Sequence, residues 1–200
     1  MFEKDFYQNV DFTSAEILEE RLCGMRFLGC CFRDADFAAI ALSGCQFEDC
    51  CFDGASFSGA KAQNTAFLNC SFEMADCMGM AFADCKLTGS CFLYTRFLNA
   101  EIGPGDWSYT TLTEAKFAGW QIEGVSFKGA DLTRADFSRA TLRRCDFSEA
   151  NLTKTTFQNA DLRESVMHGS NLLEADLHGA KIDLELAVTI AETLGARYLP

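Results

Sequence analysis

Proline is nearly missing from this chain, with two residues in 200, and histidine and tryptophan are as scarce at two each. Cationic charge is also short: 17 Lys and Arg face 29 Asp and Glu, a net charge of −12. A chain this acidic does not grip nucleic acid by neutralising phosphates. No apolar run approaches the roughly 18 residues that a membrane-spanning helix needs. The opening MFEKDFYQNVDF has no basic stretch leading into an apolar one, so the protein is expected to be soluble and cytoplasmic, with no membrane partner. Eleven cysteines are present without a CxxC pair; with no secretion signal they are expected as reduced, small buried hydrophobes. Walker, dinucleotide-glycine, GxSxG and HExxH patterns are missing too. No catalytic, metal-binding or cofactor-binding residue is expected, and the chain is not read as an enzyme.

What is present is a period. Every fifth residue from Tyr7 to Ile182 is apolar, through Phe12, Ile17, Leu22, Phe27, Phe32 and onward without exception, and 18 of the 19 phenylalanines fall on this phase. Two residues before each apolar centre, 30 of 36 positions hold Ala, Cys, Ser, Thr, Val or Gly. Segments such as ADLTR (130–134), ADFSR (135–139) and ANLTK (150–154) show the unit: small, polar, large apolar, polar, polar. A helix would smear this series around its cylinder, and a continuous strand would send successive members to opposite faces. The chain must therefore corner once per unit, which winds it into a solenoid with ladders of side chains inside.

This pattern resembles the pentapeptide-repeat family over residues 7–182. The resemblance implies an all-β fold, a right-handed quadrilateral β-helix with four units to a coil, so residues 20 apart stack at about 4.8 Å. Thirty-six units then make about nine coils and a rod of roughly 43 Å. His168 and His178, half a coil apart, are expected on opposite sides, unable to share a metal. Cys31 and Cys51 are expected to lean outward in one column, within the Cα range of a disulfide.

Some positions depart from the unit. Gly103-Pro104-Gly105-Asp106 keeps the phase but admits turns that other units cannot make, and Trp120 occupies a slot sized for alanine. A local bulge or kink is expected across 103–120, or alternatively a recognition loop. Met25, Ile40 and Met80 also exceed their slots, and the small centres Ala62 and Cys77 leave slack for Met74, Met78 or Met80 to fill. After Ile182 the period stops. Asp183 reads as a helix N-cap, Leu184 to Leu194 as a helix, and Gly195 as its stop. The chain thus divides into a solenoid (1–182) and a C-terminal helix and tail (183–200). Leu184, Leu186, Val188, Ile190, Leu194, Tyr198 and Leu199 are more apolar than one cap requires and are expected to join a homodimer.

Charge is patterned as well. Glu16, Asp36, Asp76, Asp136 and Asp176 lie multiples of 20 apart, each one residue before a centre, and Glu114 and Glu174 flank their column. Asp at this place also makes turns, by bonding nearby backbone. The C-terminal plan resembles the quinolone-resistance and gyrase-poison-immunity subgroup of the family. That resemblance implies a DNA mimic that binds a type II topoisomerase, DNA gyrase or topoisomerase IV, and shields it from a poison. The alternative is a non-catalytic interaction scaffold with no topoisomerase role.

Overall fold

The computed structural model describes residues 2–197. Its architecture follows from the corner. Most residues whose numbers end in 4 or 9 sit in the left-handed region, from Asn9 (φ 52°) and Asp34 (φ 55°) to Gly129 (φ 65°) and Gly179 (φ 69°), with Glu19, Pro104 and Glu174 as exceptions. Gly, Asn and Asp tolerate that conformation, and they fill many of these places. A repeated left-handed residue turns each short extended step through one corner, and four steps return the chain above itself.

The result is a parallel β-solenoid. One sheet has seven strands, from Phe6–Gln8 through Arg26–Leu28 and Gln46–Glu48 to Val125–Ser126, paired at a register of 20 residues. A second has five, from Arg21–Cys23 to Glu101–Ile102; Gln121–Glu123 pairs separately with Thr141–Arg143. Single bridges build the other walls, such as Asp11↔Cys31↔Cys51↔Ser71↔Cys91. The expected nine coils are corrected here to about seven turns of paired strand. Beyond Val125–Ser126 that wall continues through the single bridges Ser126↔Asp146 and Asp146↔Val166, which keep the 20-residue register without a run of paired residues.

The core is a set of aromatic ladders. Phe27, Phe47 and Phe67 stack with centroids 4.8 and 5.0 Å apart; Phe12, Phe32, Phe52, Phe72 and Phe92 stack at 4.8 to 5.1 Å. Neighbouring ladders meet edge to face, as Phe47 and Phe52 do at 5.3 Å, which is the arrangement the ring quadrupole favours. In the small slots, buried thiols and hydroxyls donate to carbonyls of the preceding coil: Cys45 Sγ to Leu22 O at 3.4 Å, Ser90 Oγ to Phe67 O at 2.9 Å, Thr155 Oγ1 to Leu132 O at 2.7 Å. Cysteine suits the slot because it is small, apolar and still a weak donor.

Both ends are covered. Phe2 packs edge-on against Tyr7, Phe12 and Phe27 at 5.3 to 5.5 Å. At the other end the helix Leu184–Thr193 lays Leu186 and Ile190 on the last coil. Asp183 caps it, Oδ1 accepting from Leu186 N at 3.0 Å while Oδ2 accepts from Glu164 N at 2.7 Å.

Candidate functional site

The 20-residue register puts the acidic series in one wall. Bridges run Glu16↔Asp36↔Ser56↔Asp76↔Arg96, then resume as Lys116↔Asp136↔Thr156↔Asp176. Each aspartate has a turn duty: Oδ1 of Asp36, Asp76, Asp136 and Asp176 accepts the backbone N–H two residues on, at 2.8 to 3.0 Å. Asp176 Oδ2 also accepts from Gln158 Nε2 at 2.6 Å. Burial alone would raise the Asp136 carboxyl, but hydrogen bonds from Ser138 and the charges of Lys116 and Arg139 hold it below the usual range. Asp176 is lowered by the His178 N–H and the Gln158 amide. Both stay ionised at neutral pH. Glu114 is tied to Arg134 at 3.2 Å, and Glu174 is exposed on the corner 60 positions further along the same column.

Sequence reading overlooked the centre of this wall. Arg96 and Lys116 stand in the same column and divide it into two acidic blocks, with Arg96 Nε 3.3 Å from Asp76 Oδ1. Their numbers are multiples of 20 from Asp36, so the signal was in the register.

The wall also opens there. At the junctions above and below, backbone bonds such as Cys77 N to Arg96 O, Arg96 N to Ala75 O, Phe117 N to Asp136 O and Thr141 N to Trp120 O close the coils. Between residues 94–103 and 113–121 the corresponding bonds are not made, and Glu101–Ile102 does not pair with Gln121–Glu123. Two residues account for it. Trp120 cannot enter an alanine slot; it lies half-buried against Phe117, centroids 5.1 Å apart. Pro104 stands where Gly24, Gly44, Asn64, Asp84 and Gly124 take positive φ, which its ring forbids, and it has no N–H to give. The opening is a cleft of about 850 Å³ lined by Tyr94, Arg96, Leu98, Glu101, Lys116 and Trp120 among others.

The segment 103–106 does not project. Gly105–Asp106 is a strand between Cys85–Lys86 and Val125–Ser126, and a Cβ on Gly105 would lie 2.6 Å from Cys85 O. Burial pushes the Asp106 carboxyl up, yet hydrogen bonds from Ser108 and Thr88 and the Lys86 charge leave it lowered. The other oversized residues open nothing: Met25, Ile40 and Met80 are buried, because flexible or compact aliphatics fit where an indole does not. Met80 alone of the three methionines fills the interior; Met74 is exposed and Met78 half-buried on the outer surface.

At the C-terminal end Leu184 and Leu194 are 73% and 69% exposed, Val188 and Ile190 are partly buried, and Leu186 is buried. Tyr198 and Leu199 lie outside the described residues. All 11 cysteines are free. Cys31 and Cys51 bridge in register on one wall. Burial pushes the Cys145 thiol up to about 11 and that of Cys77 higher still. Among the described residues no His, Cys, Asp or Glu group is placed to hold a metal, and no helix is long and apolar enough to cross a membrane.

Family models described as pentapeptide repeats match residues 30–67, 41–76, 50–89, 111–148 and 145–183. The chain belongs to the pentapeptide-repeat family. The matches stop at residue 89 and resume at 111, leaving out the stretch around Pro104. Comparison with curated proteins returned no match. Among solved structures, full-length QnrB1, a plasmid-mediated fluoroquinolone resistance protein, superposes with a TM-score of 0.78 at 22% identity, covering 96% of this chain and 100% of its own. A trypsin-treated form of QnrB1 gives a TM-score of 0.71 at 22% identity, with 97% of each chain covered. HetL, from the cyanobacterium Nostoc sp. strain PCC 7120, matches at 24% identity over 88% of this chain and 86% of its own, with a TM-score of 0.41.

Proposed function

We propose that this protein is a non-catalytic, DNA-mimicking ligand of a type II topoisomerase, DNA gyrase or topoisomerase IV, and protects it from a quinolone or another topoisomerase poison. The observation that carries the reading is the end-to-end match with a fluoroquinolone resistance protein, which covers essentially all of both chains. Charge supports it. A net −12 along about seven turns at 4.8 Å, a rod of roughly 34 Å, is about one charge per 3 Å, more than half the linear density of duplex DNA. Such a rod is drawn to a basic DNA groove from a distance, raising the rate of encounter. It arrives with Asp136 and Asp176 ionised. In this reading the two acidic blocks meet two basic patches of the groove, with Arg96 and Lys116 between them.

Pairing through the C-terminal end belongs to the same proposal. Leu184 and Leu194 leave an apolar surface at the tip of the rod, and a twofold contact there would double its length in the cytoplasm, where such a target resides.

Surface interferometry with purified gyrase tests the binding. The expected result is micromolar or tighter association that weakens steeply with added salt. No association at low salt would remove the topoisomerase reading and leave the interaction scaffold.

A further inference from the structure

At the opened junction two facing sheet edges stand apart midway along the rod. Edges of this kind accept another strand. On the first lip the N–H groups of Tyr94, Phe97 and Asn99 and the carbonyls of Thr95 and Ala100 lack the backbone partners that their counterparts one coil earlier possess. On the second lip the N–H groups of Lys116 and Gln121 lack theirs. Tyr94 and Leu98 stand 70% and 59% exposed at the mouth, and the cleft between the lips takes side chains. Charge sets the direction. Arg96 and Lys116 lie at one end, and Lys116 makes no ion pair among the described residues. Glu101 lies at the other end, also without an ion pair there, whereas Glu114 is held by Arg134.

The geometry points to a peptide-binding seam: an extended segment of a partner protein pairs in parallel with the lip 94–102, its apolar side chain entering the cleft. It carries a carboxylate opposite Arg96 and Lys116 and, about five residues on, a cation opposite Glu101. Main-chain bonds supply affinity and the two charges supply register, as in other strand-addition complexes. The seam lies between the two acidic blocks of the same wall, but the inference rests on the unpaired lips and does not require topoisomerase binding.

The probe is the peptide acetyl-ADFSNAKLS-amide, which places its aspartate and lysine at those two positions in the repeat register. Amide hydrogen exchange on the full chain is read residue by residue. In the free protein Tyr94, Phe97, Asn99, Lys116 and Gln121 exchange fast, while Met74, Cys77, Gly79, Asp136 and Thr141 are protected. Millimolar peptide slows Tyr94, Phe97 and Asn99 by about tenfold or more. The charge-swapped peptide acetyl-AKFSNADLS-amide and a version N-methylated on alternate amides fail to do so. Trp120→Ala combined with Pro104→Gly, which restores the small residue and the positive-φ corner of the repeat, closes the seam, protects the five amides without peptide and abolishes binding. Equal protection by the N-methylated peptide, no protection by any peptide, or undiminished binding to the Trp120→Ala, Pro104→Gly double variant would each overturn the proposal. So would protection that rises with protein concentration alone, which would make the occupant a second copy of this chain.

Discussion

Phe52→Ala is the sharpest test of ladder stability. Phe52 is fully buried and stacks on Phe32 at 5.1 Å and on Phe72 at 4.9 Å. It also meets Phe37, Phe47, Phe57 and Phe67 obliquely at 5.3 to 5.9 Å. Truncating a buried phenylalanine costs about 3–5 kcal/mol in transfer and cavity terms. Aromatic pairs are worth about 0.5–1.5 kcal/mol each beyond burial. Losing two stacks at once puts this residue at the upper end, about 5 kcal/mol. Phe157 stacks on one ring, Phe137 at 5.4 Å, with Phe147 edge-on at 5.6 Å, so Phe157→Ala is expected nearer 3 kcal/mol. Exposed Leu18→Ala should stay within about 0.5 kcal/mol. Urea titration followed by circular dichroism measures all three. A solenoid couples each layer only to its neighbours, so Phe52→Ala should also lower the apparent m-value as the N-terminal coils melt separately. The reasoning fails if Phe52→Ala costs no more than Leu18→Ala, or if the order of Phe52 and Phe157 is reversed.

Other expectations follow from the same contacts. Reversing Asp136 and Asp176 to Lys should weaken gyrase association about tenfold or more at low salt and flatten its salt dependence; unchanged affinity would confine both residues to making turns. Leu184→Asp with Leu194→Asp should halve the mass in sedimentation if the tip of the rod is the dimer contact, and an unaltered mass would move that contact elsewhere. Asp183 is held below its ordinary value by the Leu186 and Glu164 N–H groups. Its stabilisation of the terminal helix is therefore complete above roughly pH 4 and lost as pH falls through the lowered folded-state value. Asp183→Ala should cost about 1 kcal/mol at neutral pH and remove this acid dependence, both visible as helical ellipticity; an acid transition retained in the variant would assign it to another group. Exposed Cys23 should react with a thiol reagent in the native state, whereas Cys77, buried and raised by desolvation, should wait for unfolding; equal rates would contradict the packed interior.

The ladders were legible because one chemical requirement, an apolar side chain per corner, recurs without interruption from Tyr7 to Ile182. The helix was legible for a similar reason: Asp183 and Gly195 mark its ends in residue type alone. The corner residues were less so, since Met74, Tyr94 and Arg134 also take positive φ and nothing in their chemistry announces it; the surrounding coils impose it. Trp120 and Pro104 stood out as misfits, but their consequence is a relation between coils. Met25, Ile40 and Met80 are equally oversized on paper and pack inside. Only the register reveals that Pro104 adjoins one lip while Trp120 lies on the other, and that Arg96 and Lys116 split the acidic column there.

Supercoiling by purified gyrase in the presence of a fluoroquinolone tests the proposed role most directly. The account predicts that stoichiometric to micromolar protein restores supercoiled product and reduces drug-stabilised cleavage, with the effect fading as salt rises. Unchanged cleavage and unchanged supercoiling at every protein concentration would contradict it.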